Sequence, residues 1–78
     1  MWKIDSGKID AKRREAIRHM GTNVTWTLLS ERSGVTVQTI NNWRNGRFSG
    51  STQKIGMLVD GFVDLGIPCS FDDLVSYS

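Results

Sequence analysis

The apolar positions of the chain fall into short periodic runs punctuated by glycines. Trp2 and Ile4 alternate ahead of the turn-like Asp5-Ser6-Gly7, so residues 1–8 read as a short strand or as an arm that lays Trp2 on the body. Beyond them the spacing is helical. Asp10 is placed to cap a helix Ala11–Met20 with Ala16, Ile17 and Met20 on one side, Lys12, Arg13, Arg14 and Arg18 mostly outside, and Gly21 as its stop. Thr25 then caps a short helix Trp26–Ser33, in which Leu28 and Leu29 are apolar and after which Gly34 supplies a left-handed end. Two residues on, Thr36 caps a helix Val37–Asn45 closed by Gly46, with Ile40 and Trp43 inward and Gln38, Asn41, Asn42 and Arg44 facing elsewhere. Arg47–Ser51 reads as a loop. Ile55, Leu58, Val59 and Phe62, with Val63 and Leu65 alongside, form the clearest amphipathic stretch, and Gly56 and Gly61 inside it mark close helix contacts or a kink. Gly66-Ile67-Pro68 breaks that run, and Ser70 with Asp73 resembles a capping box opening a last helix to about Tyr77, with Phe71, Leu74 and Val75 in the core. The expected fold is all-α: five helices, with residues 1–8 as an arm or strand and 9–78 as one domain.

Composition narrows the function classes. A chain of 78 residues with 38% hydrophobic and 23% charged residues and a single Pro reads as one small globular domain, with no space for an effector domain. No apolar run approaches the ~18 residues of a membrane helix, and no secretory core follows Met1, so a cytoplasmic setting is expected. The lone Cys69 has no disulfide partner, His19 has no second ligand at a metal spacing, and no acid/base pair or nucleophile constellation is present. Neither an enzyme nor a metal or cofactor is expected. The net charge of +2 hides an asymmetry. Residues 1–47 carry nine basic side chains against four acidic ones, whereas residues 48–78 carry Lys54 against Asp60, Asp64, Asp72 and Asp73. A basic half suits a polyanion, and an acidic half is left for another partner.

Helix, tight glycine turn, then a second short helix is the arrangement that DNA-binding helix-turn-helix proteins use. The first helix braces across the phosphates, and the turn sets the second so that its first residues enter the major groove. Those residues must reach base edges while the opposite face anchors the helix. The segment Thr36-Val37-Gln38-Thr39-Ile40-Asn41-Asn42-Trp43 meets both demands.

Residues 24–47, with Leu29, Gly34, Val35, Thr39, Ile40, Trp43 and Gly46 at matching positions without a gap, resemble the phage-repressor and Cro family of helix-turn-helix domains, also called Xre-like. With the flanking helices the resemblance covers roughly residues 9–76, and it implies a lambda-repressor-like fold. Carried over by position, it implies that Val37 and Gln38, then Asn42 with Asn41 at the groove edge, read bases. A glutamine amide can bond adenine N6 and N7, and a valine can touch a thymine methyl. It implies phosphate contacts from Thr25, Trp26, Thr36, Asn45 and Arg47, which set register without reading sequence. Trp26 stands where family members often carry Gln, and offers one indole N–H to a phosphate instead. The stretch from Ile55 to Ile67 is about three residues longer than the usual family helix.

The expected function is that of a repressor- or Cro-like transcriptional regulator, a homodimer on double-stranded DNA. A protein-interaction module, or an antitoxin-type autoregulator whose acidic half binds a protein partner, are the alternatives. Trp43 is expected in the core, and Trp2 as a patch on the body or part of a dimer contact.

Overall fold

The two ends of the chain meet. In the computed structural model, which describes residues 2–47 and 52–77, β1 (Trp2–Ile4) pairs antiparallel with β2 (Val75–Tyr77), placing Trp2 opposite Tyr77 and Ile4 opposite Val75. Between them lie four α-helices: α1 (Ser6–Met20), α2 (Trp26–Ser33), α3 (Val37–Arg44) and α4 (Thr52–Asp64), then a single 3-10 turn at Phe71–Asp73. The fold is mostly helical, with a two-stranded sheet clasping its termini.

That sheet corrects the expectation of five helices. Ser70 and Asp73 do interact as a box, the Ser70 N–H donating to the Asp73 carboxylate at 2.9 Å, and this bond holds the carboxyl below its ordinary range. The helix does not propagate, because Val75 is drawn into pairing with Ile4 and both are buried. A β-branched residue beside a complementary strand gains more from the ladder than from one further helical turn. The Asp5 N–H continues the pairing, donating to the Leu74 carbonyl at 3.0 Å.

The first helix begins five residues earlier than Ala11. Asp5, not Asp10, is its cap: the Asp5 carboxylate accepts from the Lys8 N–H at 3.1 Å, which brings Ile9 into the helix and wholly into the core. Asp10 instead pairs with Arg14 one turn on. Met20, expected inside, is exposed, and Ile17 is half-buried. Lys12 and Arg13 are not solvent-facing as expected; their stems lie on the core while their heads reach polar partners. Lys12 Nζ binds Glu15 at 2.9 Å and the Pro68 carbonyl at 3.1 Å, and Arg13 Nε donates to the Val24 carbonyl at 2.7 Å.

The core runs through Ile9, Leu29, Ile40, Trp43, Ile55, Leu58, Phe62 and Leu74, all with no exposed surface. Fully burying a side chain of this size contributes ~1.5–3 kcal/mol. The helix α4 ends at Asp64, and Gly66 (φ +87°) and Ile67 turn back on it, the Ile67 N–H donating to the Phe62 carbonyl at 3.0 Å. The residues to Ile67 are therefore a helix cap and not extra helix, and Val63 is exposed rather than core. Trp2 packs edge-on against Phe71, with ring centres 5.1 Å apart. The expected loop after Arg47 falls, over residues 48–51, outside the described residues. Among the described residues, no helix is long and apolar enough to cross a membrane.

Of the two glycines inside α4, one marks a close contact. A Cβ on Gly61 would stand 2.7 Å from the Ser33 Cβ and 3.0 Å from its Cα, whereas one on Gly56 would meet nothing within 4 Å. Gly61→Ala is therefore expected to destabilise the chain by ~1–3 kcal/mol in urea unfolding. Gly56→Ala is expected to stabilise it by ~0.5–1 kcal/mol.

Candidate nucleic-acid interface

Helices α2 and α3 form where the sequence expects them, because their ends are written in local chemistry. The Thr25 hydroxyl accepts from the Leu28 N–H at 3.0 Å, and the Thr36 hydroxyl accepts from the Thr39 N–H at 3.2 Å. Between the helices Gly34 takes φ +80°, its N–H bonded to the Ser30 carbonyl at 2.8 Å. Gly46 (φ +78°) closes α3, where the Arg47 N–H donates to the Asn42 carbonyl at 2.8 Å. That turn places Arg47 three residues beyond the last residue of α3, with its side chain exposed.

The turn between α2 and α3 is held from behind by α4. A Cβ on Gly34 would lie 3.1 Å from the Met57 methyl, and Gly61, one turn further along α4, abuts Ser33. Arg32 and Asp64 add an ion pair at 2.9 Å. On its inner side α3 is pinned by Ile40 and Trp43, neither of which is exposed. The Trp43 indole N–H is buried and finds no acceptor among the described residues, so the ring serves as an apolar anchor.

The outward side of α3 differs residue by residue. Gln38 is exposed, Asn42 is half-buried, and neither side chain makes a hydrogen bond to another described residue, so both amides retain their donors and acceptors. Val37 is half-buried at the first position. Asn41 is engaged: its Oδ1 accepts from Arg44 Nη1 at 3.2 Å, which makes it a support for that arginine. Asn45 is exposed just past the helix end.

At the other end of the pair, Trp26 opens α2 and lies beside the last turn of α3. The Arg44 guanidinium lies over its ring at 4.3 Å from the centroid, and the Arg13 guanidinium at 4.9 Å. Pattern reading did not find this cluster, because Arg13, Trp26 and Arg44 come from three different helices. Next to it an open groove of about 400 Å³ runs between the first turns of α1 and the end of α3, lined by Ser6, Gly7, Asp10, Asn41, Arg44 and Asn45. The Arg14 bond, with Arg13 and Arg44 nearby, holds the Asp10 carboxyl below its ordinary range.

Elsewhere the chemistry is quiet. Burial pushes the Cys69 thiol up to about 11, which keeps it protonated and poorly nucleophilic at neutral pH. Among the described residues, no three His, Cys, Asp or Glu side chains are grouped to hold a metal ion.

No family model matches the chain, and no curated protein or solved structure matches it. None of these comparisons bears on the likeness to phage repressors and Cro, which rests on this chain's own residues.

The cap of α3 is a solvent-exposed bond. Thr36→Ala is expected to lower unfolding free energy by ~1 kcal/mol, read by denaturant titration, since it leaves a first-turn amide without its partner.

Proposed function

We propose that the chain is a sequence-specific DNA-binding regulator of repressor or Cro type that inserts α3 into the major groove. The observation that carries this reading is the pair of independently capped helices around Gly34, with the unbonded amides of Gln38 and Asn42 on the outer side of the second. A helix anchored by Ile40 and Trp43 presents those amides at low conformational cost, which base-edge recognition by a bidentate amide requires. The excess of basic residues in the half that contains α2 and α3 supports the same reading, since phosphate neutralisation supplies most of non-specific affinity.

On this reading Gln38 and Asn42 are the base readers, Val37 makes the apolar contact, and Asn41 acts through Arg44. Thr25, Thr36, Asn45 and Arg47 contact phosphates around the helix. The arrangement is a lambda-repressor-like helix-turn-helix whose termini are joined by a sheet, working in the cytoplasm. A homodimer on a two-fold site, with half-sites about one helical turn apart, follows from the short reach of one recognition helix.

A binding titration on random-sequence duplex at low and moderate salt tests the reading. Affinity is expected to fall steeply with salt, and absence of binding even at low salt would overturn it. On a site selected from a random oligonucleotide pool, Gln38→Ala or Asn42→Ala is expected to cost ~1–3 kcal/mol, with little change on random DNA. Arg47→Ala is expected to weaken both equally. A Gln38→Ala chain with unaltered site preference would remove Gln38 from the reading face.

A further inference from the structure

Of the five arginines in the described helices, Arg18 is exposed and the other four divide into two kinds. Arg14 and Arg32 each sit on a carboxylate, Asp10 and Asp64 respectively. Arg13 and Arg44 do not: Arg13 donates to the Val24 carbonyl and, at 3.3 Å, to Asn23 Oδ1, and Arg44 donates to Asn41 Oδ1. All three acceptors are neutral, so among the described residues both charges are positioned without an ion pair of their own. Yet both guanidiniums lie over one indole ring, at 4.9 and 4.3 Å from its centroid. Two like charges on the same ring are closer than a Debye length of about 10 Å, so each raises the potential at the other. Trp26 offsets part of that repulsion through its ring face, and fixes where the two forks stand.

The position of the ring adds a third donor group. Trp26 is the first residue of α2, directly after the Thr25 cap, so the free amides and positive end of the helix lie at the same place. Thr25 Oγ1 takes the Leu28 N–H and the Thr25 carbonyl takes the Leu29 N–H, while the N–H groups of Trp26 and Thr27 donate to no acceptor among the described residues. A planar, weakly hydrated guanidinium matches a phosphodiester better than an ammonium does, because its fork can donate two parallel bonds.

We infer that Arg13 and Arg44, held over Trp26, clamp one backbone phosphate of DNA against the amino end of α2. This rests on the reading of α3 as the recognition helix and names the contact that sets its register. Trp26 is then a positioning residue, which organises the two cations in place of donating its own N–H to the phosphate. The clamp joins α1, α2 and α3 at one point, so a single phosphate fixes the orientation of all three.

The slope of log affinity against log salt on random-sequence duplex tests this. Arg13→Gln and Arg44→Gln are each expected to weaken binding on the order of tenfold and to reduce the slope by about 1, and the double variant by about 2. Trp26→Leu keeps both charges, so its slope is expected to stay while affinity falls roughly 2- to 5-fold, with Trp26→Phe recovering part of the loss. A second measurement uses the unaltered chain: phenylglyoxal modification read by mass spectrometry is expected to show Arg13 and Arg44 protected in the complex and Arg32 still reactive. A folded double variant with the original slope, or Arg13 and Arg44 unprotected in a complex that forms normally, overturns the clamp alone. Absence of salt-dependent binding by the unaltered chain overturns the DNA reading and the clamp with it.

Discussion

The setting of α3 against α2 depends on how closely α4 approaches the turn between them. Gly61 allows the backbone of Ser33 to lie where a side chain would otherwise stand, and Met57, one turn before it, packs against Gly34. Gly34 is left-handed, so the direction in which the chain leaves α2 is set there. With the turn backed by a helix and α3 anchored by Ile40 and Trp43, the angle between α2 and α3 has little freedom. The proposed reading of base edges by α3 requires that rigidity, since a face that wobbles loses the geometry of bidentate bonds.

Charge is kept out of the core and held at its rim. The buried residues are all apolar among those described, and the cations are held at the rim by their stems. Lys8 and Lys12 are spent on the C-terminal segment, with Lys8 Nζ donating to the Val75 carbonyl at 2.6 Å and Lys12 near Asp73 at 3.7 Å. Arg14 and Arg32 are spent on carboxylates. Of the nine basic residues before Phe48, five remain: Lys3 and Arg18, both exposed, Arg13 and Arg44 joined at Trp26, and Arg47 exposed beyond α3. The net charge of the basic half therefore overstates the charge left without a carboxylate or carbonyl partner, and Arg13, Arg44 and Arg47 lie around the helix pair.

The helix pair was legible almost to the residue because caps are local. Thr25, Gly34, Thr36 and Gly46 each act within four residues, and the pattern of Ile40 and Trp43 identifies the inner face of α3 without knowledge of what lies behind it. The ends of the chain were not legible for the opposite reason. Ile4 and Val75 pair across nearly the whole sequence, and nothing near Ser70 distinguishes a capped helix from a capped 3-10 turn that leads into a strand. Two aspartates in reach of the first helix, Asp5 and Asp10, made its start ambiguous; the choice of Asp5 is decided by Ile9, which only then enters the core. Arg44 faced outward by helical spacing alone, and its ring contact depends on α2 passing beside the end of α3.

The most direct test of the central claim, that the outer side of α3 with the amino end of α2 is the binding face, is a titration of the isotopically labelled chain with a duplex selected from random oligonucleotides, followed by amide chemical shifts. The largest changes are expected from Trp26 to Leu28 and from Val37 to Asn42, with α4 and the β1–β2 sheet little affected. Changes concentrated in α4 or in Val75–Tyr77, with α3 unperturbed, would contradict it.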